Sequence, residues 1–194
     1  MTRKYSAVTR RKTGFKEQRP VFVIATDGTK TEPRYFDQFK TTKKVSIQYV
    51  RDTNLPKIFR RLNTYCHEHG VKPKEDNVWL VIDKDTKSTN HLNEIAADCK
   101  KKGYDLAVSN PCFEYWLYLH LAEHKPFASA SSCIRALTRK LGTYDKAKYD
   151  LARFKPDIDS AVKKAQRNDS GNSHSWPKDT GTHVYKLVKK LPEI

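Results

Sequence analysis

Apolar residues along this chain fall into short unbroken runs that alternate with stretches of helical spacing. The runs at 21–25 (VFVIA) and 78–82 (VWLVI) are typical of strands covered on both faces, as in a parallel sheet. Shorter runs at 45–50 and 106–108 predict two further strands. Three helices are expected after the first three strands: at about 32–40, with Pro33 in its first turn; at 58–66, between Pro56 and Gly70; and at 92–99, before Gly103. This alternation predicts an α/β fold with a mainly parallel sheet flanked by helices.

The last part of the chain carries a looser helical pattern. Asn110 before Pro111 resembles an N-cap with proline in the first helical turn, which predicts that CFEYWLYLHLAEH (112–124) is a helix. The segment NDSGNSHSWPKDTGT (168–182) is expected to be a polar loop. Further helices are expected at 134–141, 158–166 and 184–191. The sheet is therefore predicted to carry a helical C-terminal extension.

The length of 194 residues fits one domain, which can bury a core without disulfide bonds. Residues 1–19 differ from the rest, because they are rich in Lys and Arg, contain a lone Glu and offer little apolar surface. We predict a flexible basic arm over 1–19, with Arg10, Arg11 and Lys12 as candidate nucleic-acid contacts. Residues 20–194 are predicted to form the single domain.

The chain is strongly basic, with 38 Lys and Arg against 22 Asp and Glu and a formal net charge of +16. A field of this sign attracts polyanions before any specific contact forms, so nucleic acid is the first partner to consider. The alternative is a cationic surface that serves solubility alone.

The four cysteines are widely spaced and form no CxxC pair: Cys66, Cys99, Cys112 and Cys133. The first residues of the chain are polar and form no apolar signal segment. These features predict reduced thiols in a cytoplasmic protein. No apolar run approaches the ~18 residues of a membrane-spanning helix, so no membrane partner is expected.

Acidic side chains stand where the predicted strands end, although the chain as a whole is basic. Asp27 follows the first strand, Asp83 and Asp85 follow the third, and Glu114 comes shortly after the fourth. Because the carboxyl ends of parallel strands share one edge of the sheet, these residues are expected to converge. In an extended segment Asp83 and Asp85 project to one side and Lys84 to the other. Crowded carboxylates repel each other and Mg²⁺ prefers oxygen ligands, so the pattern indicates a divalent metal site.

Each acid also has a simpler explanation. A DKDT turn that caps the next helix accounts for Asp83 and Asp85 without a metal. Glu32 and Glu114 stand in the first turns of predicted helices, where the helix dipole favours an acid by ~0.3 to 1 kcal/mol. The residues by themselves leave both interpretations open.

Three blocks of the sequence resemble TOPRIM domains, and more narrowly the RloB-like proteins linked to bacterial defence loci. The blocks are IATDGTKTEPRYF (24–36), VWLVIDKDT (78–86) and SNPCFEYWLYLH (109–120). The resemblance runs from about Val21 to His120 and continues more loosely through THVYKLVKKL (182–191). It implies a TOPRIM-like Rossmannoid domain. Asp27 departs from the family pattern, which has a glutamate there, and its side chain is one methylene shorter.

The resemblance implies a nuclease that depends on Mg²⁺ or Mn²⁺ and hydrolyses phosphodiester bonds of RNA, tRNA included, or of DNA in antiviral defence. Carried over by position, Asp27, Asp83, Asp85 and Glu114 are metal ligands, and Asp27, Glu32 and Glu114 are catalytic. Resemblance to related defence systems also suggests a partner ATPase, since this chain contains no GxxxxGK[ST] loop.

Lysines beside the acidic turns are candidate phosphate contacts, although each is equally explained as a solvated side chain: Lys30, Lys84 and Lys87. Other functions stay open. The site could be an inactive TOPRIM site in a nucleic-acid-binding or partner-binding subunit, a reading consistent with Asp27. A primase-like polymerase or a topoisomerase fragment is disfavoured by the short chain.

Two metal motifs match only in part. HLAEH (120–124) fits the HxxEH pattern of zinc peptidases, but it falls where Lys125 and Pro126 end a predicted helix, so one interfacial histidine and one solvated histidine are expected instead. DKDTKSTNHLNE (83–94) imitates a calcium-binding loop, but Ser88 occupies the position that requires glycine. Neither zinc nor calcium is predicted.

Overall fold

The computed structural model describes residues 20–40, 46–52, 54–169 and 174–193. The strands within these residues are β1 (Val21–Thr26), β2 (Ser46–Arg51), β3 (Asn77–Asp83), β4 (Asp105–Asn110) and β5 (Gly181–Thr182). The α-helices are α1 (Thr31–Lys40), α2 (Leu55–Glu68), α3 (Thr89–Lys102), α4 (Glu114–Leu121), α5 (Ala130–Leu141), α6 (Ile158–Asp169) and α7 (Val184–Val188). Two short 3-10 helices precede α6, at Leu151–Arg153 and Lys155–Asp157.

The strands form one sheet in the order β2-β1-β3-β4-β5. The pairs among β1 to β4 are parallel, and the short β5 pairs antiparallel with the end of β4. Thr26 at the end of β1 is in register with Val81 of β3, and Asp83 at the end of β3 is in register with Ser109 of β4. The carboxyl ends of the central strands therefore form one edge. The predicted α/β fold with a mainly parallel sheet flanked by helices is confirmed.

Both faces of the sheet are buried, as the unbroken apolar runs predicted. Phe22 and Ile24 of β1 belong to a core shared with α1 and the helices from α4 onward. Val23 and Ala25, which alternate with them, belong to a second core under α2 and α3. Burial of each large apolar side chain contributes about 1.5–3 kcal/mol, so these two cores hold the strand ends in place.

Helix ends follow from local chemistry. Asn54 caps α2 by accepting a 3.1 Å hydrogen bond from the Lys57 backbone N–H, and Ser88 caps α3 in the same way through His91. Gly70 and Gly103 have φ angles of +64° and +76°, the left-handed region that glycine adopts without steric cost. These glycines end α2 and α3 where the sequence predicted.

The prediction that Asn110 caps a helix and that Pro111 lies in its first turn is wrong. Asn110 is the last residue of β4, and α4 runs only from Glu114 to Leu121. The Asn110 side chain instead donates hydrogen bonds to the carbonyl oxygens of Pro177 (3.1 Å) and Lys178 (3.0 Å). The Asn110 amide therefore binds backbone carbonyl groups far away in the sequence, whereas the local sequence pattern predicted that it would cap a helix.

The segment 168–182 is more than a polar loop. Residues 168–169 complete α6, the ring of Trp176 is buried at 1% exposure, and Gly181–Thr182 forms β5. Trp176 Nε1 donates to Asn93 Oδ1 at 3.0 Å, so the polar-looking stretch is fixed to α3. Pattern reading missed this because a lone aromatic residue carries no periodicity.

Some predictions lie beyond what the structure describes or tests. The arm at 1–19, with Arg10, Arg11 and Lys12, lies outside the described residues, and the boundaries of the single domain stay a prediction. Within the described ranges, no helix is both long and apolar enough to cross a membrane. The four cysteines are free thiols with buried side chains.

Candidate functional site

A pocket of about 280 Å³ opens at the carboxyl ends of β1 and β3. The turn after β1, the start of α1, the turn after β3 and the loop before the first 3-10 helix contribute its lining: Asp27, Gly28, Thr29, Lys30, Thr31, Glu32, Asp83, Asp85, Lys87 and Lys146. We call it the acid pocket. Parallel strands bring its acidic members together although more than 50 residues separate Asp27 from Asp83.

Asp27 lies at the centre of the acid pocket's hydrogen bonds. Its Oδ2 accepts from Lys87 Nζ at 2.9 Å and from the Asp83 backbone N–H at 3.4 Å. Burial raises the pKa of Asp27, and the ammonium of Lys87 only partly offsets that effect. Lys87 Nζ also donates to the Asp83 carbonyl oxygen at 2.8 Å. A lysine ammonium thus occupies a position among the acids where a cation is favoured.

Asp83 and Asp85 both line the acid pocket, while Lys84 lines a different pocket, although this segment is a turn and not the extended chain that the sequence predicted. Asp83 ends β3, and Asp85 lies in the following turn with a φ of +37°, which aspartate tolerates better than most residues. Burial raises the pKa of Asp83 well above its usual value, and the nearby Asp27, Glu32 and Glu114 carboxylates add to the effect. The surroundings therefore disfavour the charged form of Asp83.

Glu32, at the start of α1, turns its carboxylate back over Gly28. A Cβ atom at position 28 would overlap that carboxylate, so a larger residue there would displace the Glu32 side chain. Burial raises the pKa of Glu32 to about 7, and the charges of Asp27 and Glu114 contribute. The Glu32 side chain therefore exchanges a proton close to neutral pH, which suits a general base or acid.

Glu114, the first residue of α4, does not line the acid pocket itself. It is 1% exposed, and its Oε1 accepts from Lys146 Nζ at 3.0 Å and from Tyr144 Oη at 3.2 Å. Its Oε2 is buried and has no hydrogen-bond partner within the described part of the chain. A buried carboxylate oxygen without a donor costs free energy, so this oxygen is a candidate ligand atom.

The loop 142–150 contributes Lys146 to the lining of the acid pocket, and sequence reasoning missed it. Tyr149 Oη donates to the Thr31 carbonyl oxygen at 2.7 Å, and Arg34 Nε donates to the Tyr149 carbonyl oxygen at 2.9 Å. These bonds fix the loop to the start of α1 and place Lys146 over Glu114. The loop has no helical or strand period, so nothing in its pattern pointed to the site.

The family model described as RloB-like protein matches residues 22–191. The chain belongs to the RloB-like protein family. The match covers all the acids named above, and it confirms the resemblance that the three sequence blocks carried. No curated protein and no solved structure matches the chain.

The acids of this RloB-like protein suit a hard divalent cation in their chemistry. Their donor atoms are carboxylate oxygens, and Glu114 Oε2 has no other described partner. In the described residues, however, no three acidic, histidine or cysteine side chains are arranged around one point as metal ligands. Lys87 and Lys146 stand among the acids and neutralise part of their charge. Metal binding would therefore compete with these two ammonium groups.

Two other candidate groups in this RloB-like protein are committed to the core. His120 is 2% exposed; its Nδ1 donates to the Trp116 carbonyl oxygen (2.9 Å) and its Nε2 accepts from Tyr35 Oη (3.1 Å). Burial lowers the pKa of His120 to about 4, so the ring is neutral at pH 7. A hydrogen bond with Cys133 and burial raise the pKa of the Cys112 thiol. Neither residue is placed as a zinc ligand or a nucleophile.

The candidate phosphate-binding lysines have three different positions. Lys30 lines the acid pocket and is exposed, whereas Lys87 lines it and is engaged with Asp27. Lys84 faces away from the acid pocket. The structure therefore groups Lys30 and Lys87 with the acids and assigns Lys84 to separate surroundings.

Proposed function

We propose that this RloB-like protein is a metal-dependent nuclease, with a TOPRIM-like site, that hydrolyses phosphodiester bonds of RNA, tRNA included, or of DNA in antiviral defence. One observation carries the proposal. Asp27 and Glu32, between the end of β1 and the start of α1, line one pocket with Asp83 from the end of β3, and burial raises the pKa of each. Such crowding opposes folding, so a cation and a substrate are the best reason for it.

Mg²⁺ or Mn²⁺ would be held by Asp83 and Asp85, with Asp27 and Glu114 as further oxygen donors. When bound, the ion would polarise the phosphoryl group and make a bound water more acidic. Glu32, with a pKa of about 7, would take up a proton from the attacking water at neutral pH. The Glu32 carboxylate is suited to this role because its proton affinity matches the working pH.

Lysines of the acid pocket would bind the negatively charged phosphate groups of the substrate. Lys87 would release Asp27 as a metal arrives and donate to a phosphate oxygen instead, because its ammonium lies among the acids. The exposed Lys30 would contact the phosphate backbone near the pocket mouth. The net charge of +16 would draw a polyanion toward this edge.

Cellular context enters the proposal through the family resemblance. Such a nuclease would act in the cytoplasm, where nucleic acid is accessible. The resemblance also suggests a partner ATPase, which would supply any ATP hydrolysis that the system needs, since the sequence contains no GxxxxGK[ST] loop.

A second candidate function is an inactive nucleic-acid-binding or partner-binding subunit. The observation that favours it is the Lys87–Asp27 ion pair of 2.9 Å, which fills the acid cluster with an internal cation. On this view Lys87 permanently replaces the metal, and the shorter side chain at position 27 marks the loss of activity.

The deciding experiment incubates the purified full chain with total tRNA, single-stranded DNA and duplex DNA. Each substrate receives Mg²⁺, Mn²⁺ or EDTA, and gels report the products. Glu114→Gln is the test variant because it removes one buried carboxylate, and Glu94→Gln on the exposed face of α3 is the matched control. The nuclease proposal expects metal-dependent cleavage by the wild type and the control alone. Absence of cleavage on every substrate, with binding intact, would favour the inactive subunit.

A further inference from the structure

A second pocket lies beside the acid pocket, at the carboxyl ends of β3 and β4. It has a volume of about 560 Å³, and its lining includes Lys84, Asn110, Phe127, Lys178, Asp179 and Thr180. We call it the lysine pocket. Lys84 stands between Asp83 and Asp85, which line the acid pocket. The two pockets therefore meet at the end of β3. Neighbouring residues there, whose Cα atoms are about 3.8 Å apart, line the acid pocket and the lysine pocket in turn.

The walls of the lysine pocket are fixed by hydrogen bonds between distant segments. Thr180 Oγ1 accepts from the Phe127 backbone N–H at 2.9 Å. Asn110 Nδ2 donates to the carbonyl oxygens of Pro177 and Lys178 at 3.1 and 3.0 Å. Lys178 Nζ lies 3.5 Å from the centroid of the buried Trp176 ring. The pocket is thus built before any ligand arrives, which lowers the entropic cost of binding.

The charged side chains of the lysine pocket are mostly positive, whereas those that characterise the acid pocket are negative. Lys84 and Lys178 supply two ammonium groups, and Asp179 supplies one carboxylate. Lys125 is not part of the lining, and its Nζ lies 5.0 Å from the Phe127 ring centroid. The half-buried Phe127 ring contributes an apolar wall of the kind against which nucleobases pack. Ammonium groups next to an aromatic wall suit a nucleotide unit, with phosphate on the lysines and base on the ring.

We propose that the lysine pocket is a strand-binding subsite, which holds the nucleotide next to the one that enters the acid pocket. The subsite takes single-stranded nucleic acid, because a paired base cannot leave its partner to reach Phe127. The inference rests on the proposed function for the role of the acid pocket. Its own contacts are to phosphate and base, so it accepts RNA and DNA strands alike.

The test measures binding in EDTA, where a metal-dependent reaction cannot occur. Fluorescence anisotropy reports the Kd of labelled single-stranded RNA, single-stranded DNA of the same sequence, and a blunt duplex, over a range of salt concentrations. The variant Lys84→Gln/Lys178→Gln removes both charges while keeping polar side chains of similar length. The control Lys101→Gln/Lys102→Gln removes two exposed charges at the end of α3, on the opposite edge of the sheet. Thermal unfolding confirms that both variants are folded.

We expect the pocket variant to weaken binding of both single strands and to flatten the slope of log K against log salt by roughly 1.4, the loss of two phosphate contacts. Duplex binding and the control variant should change much less. An oligonucleotide carrying 5-iodouridine should crosslink to the peptide that contains Phe127. An unchanged Kd and salt slope in the pocket variant, or equal weakening of duplex and single strands, overturns the subsite.

Failure of the nuclease proposal would look different. If the wild type cleaves nothing with any metal but the pocket variant still loses single-strand binding, the nuclease is refuted and the subsite stands. If the wild type cleaves and the pocket variant binds normally, the subsite is refuted and the nuclease stands.

Discussion

Asp83 and Asp169 are both largely buried, yet their surroundings act on them in opposite directions. Burial alone would raise the pKa of Asp169, but donors outweigh it and lower that pKa below its usual value. The donors are Tyr185 Oη at 2.7 Å, His183 Nε2 at 3.2 Å and Lys186 Nζ at 3.2 Å. Burial and three carboxylates raise the pKa of Asp83, and the ammonium of Lys87 only partly offsets them.

The difference separates a carboxylate kept for stability from one that stability does not explain. The ionised Asp169 joins the end of α6 to α7, so its charge contributes to folding. The ionised Asp83 raises the free energy of the folded state, because its neighbours share its sign. A chain under selection for stability alone would neutralise the acid pocket, and this contrast is why we assign function there.

The largest expected effect is the loss of cleavage caused by the substitutions Asp83→Asn and Asp85→Asn. Each change removes a carboxylate that would hold the metal, so the nuclease rate should fall by a factor on the order of 10² or more. The melting temperature of Asp83→Asn without metal should stay unchanged or rise, because a repelled charge has been removed. Timed cleavage and thermal unfolding check both statements, with the exposed Asp98→Asn as control. Wild-type rates in both variants would refute the metal assignment.

The next effect concerns Asp27, which stands where the sequence resemblance implies a glutamate. Asp27→Ala should lose cleavage, whereas Asp27→Glu should retain or increase it, because its oxygens still reach a cation beside Asp83. If Asp27 merely formed the turn, Asp27→Asn would be harmless and Asp27→Glu the more damaging change. The Thr26 Oγ1 hydrogen bond to the Gly28 carbonyl, 2.6 Å long, already supports that turn. Rates and melting temperatures of the three variants distinguish the cases.

The pH dependence of stability gives a third test through Glu32, whose pKa rises from 4.5 to about 7 on folding. The stability that it contributes is complete below pH 4.5 and is lost as the pH rises through about 7. At about 1.4 kcal/mol per pKa unit, the loss is at most roughly 3 kcal/mol. Urea unfolding of Glu32→Gln between pH 4.5 and 8 should lack this loss, and Glu94→Gln should retain it. Equal pH profiles for Glu32→Gln and the wild type would contradict the assignment.

Asp169→Asn should act in the reverse sense. The lowered pKa of Asp169 means that its stabilisation is present above the unfolded pKa and is lost only as the pH falls through the folded value. At pH 7 the variant should lose about 1–3 kcal/mol of unfolding free energy, because charged hydrogen bonds disappear. The melting temperature should drop by roughly 2–4 °C per kcal/mol, while the cleavage rate of the folded protein is unchanged. A variant as stable as the wild type would remove the contrast with Asp83.

Much of the fold was predictable because local patterns report it directly. The runs at 21–25 and 78–82 are apolar on both faces, and such strands form only where helices cover both sides of a sheet. Gly70 and Gly103 marked helix ends because a left-handed residue is needed there. Convergence of Asp27 and Asp83 followed from the rule that parallel strands share a carboxyl edge.

The contacts that complete the site were not predictable, because they join segments with no common pattern. Lys146 and Tyr144 belong to an aperiodic loop, and only packing against the start of α1 brings them to Glu114. Asn110 looked like a helix cap because local chemistry allowed it, but carbonyl groups nearly 70 residues away provided better partners.

The sequence by itself determined the layered α/β fold, the family and the identity of the acids, since these depend on period, spacing and motif. Only the tertiary structure decided which positive charges oppose those acids and which residues surround Lys84. Packing between distant segments pairs Lys87 with Asp27 and Lys146 with Glu114. It also places Lys84 in the lining of the lysine pocket. The physical reason is that a side chain's electrostatic surroundings depend on neighbours in space, and the chain's order does not encode those neighbours locally.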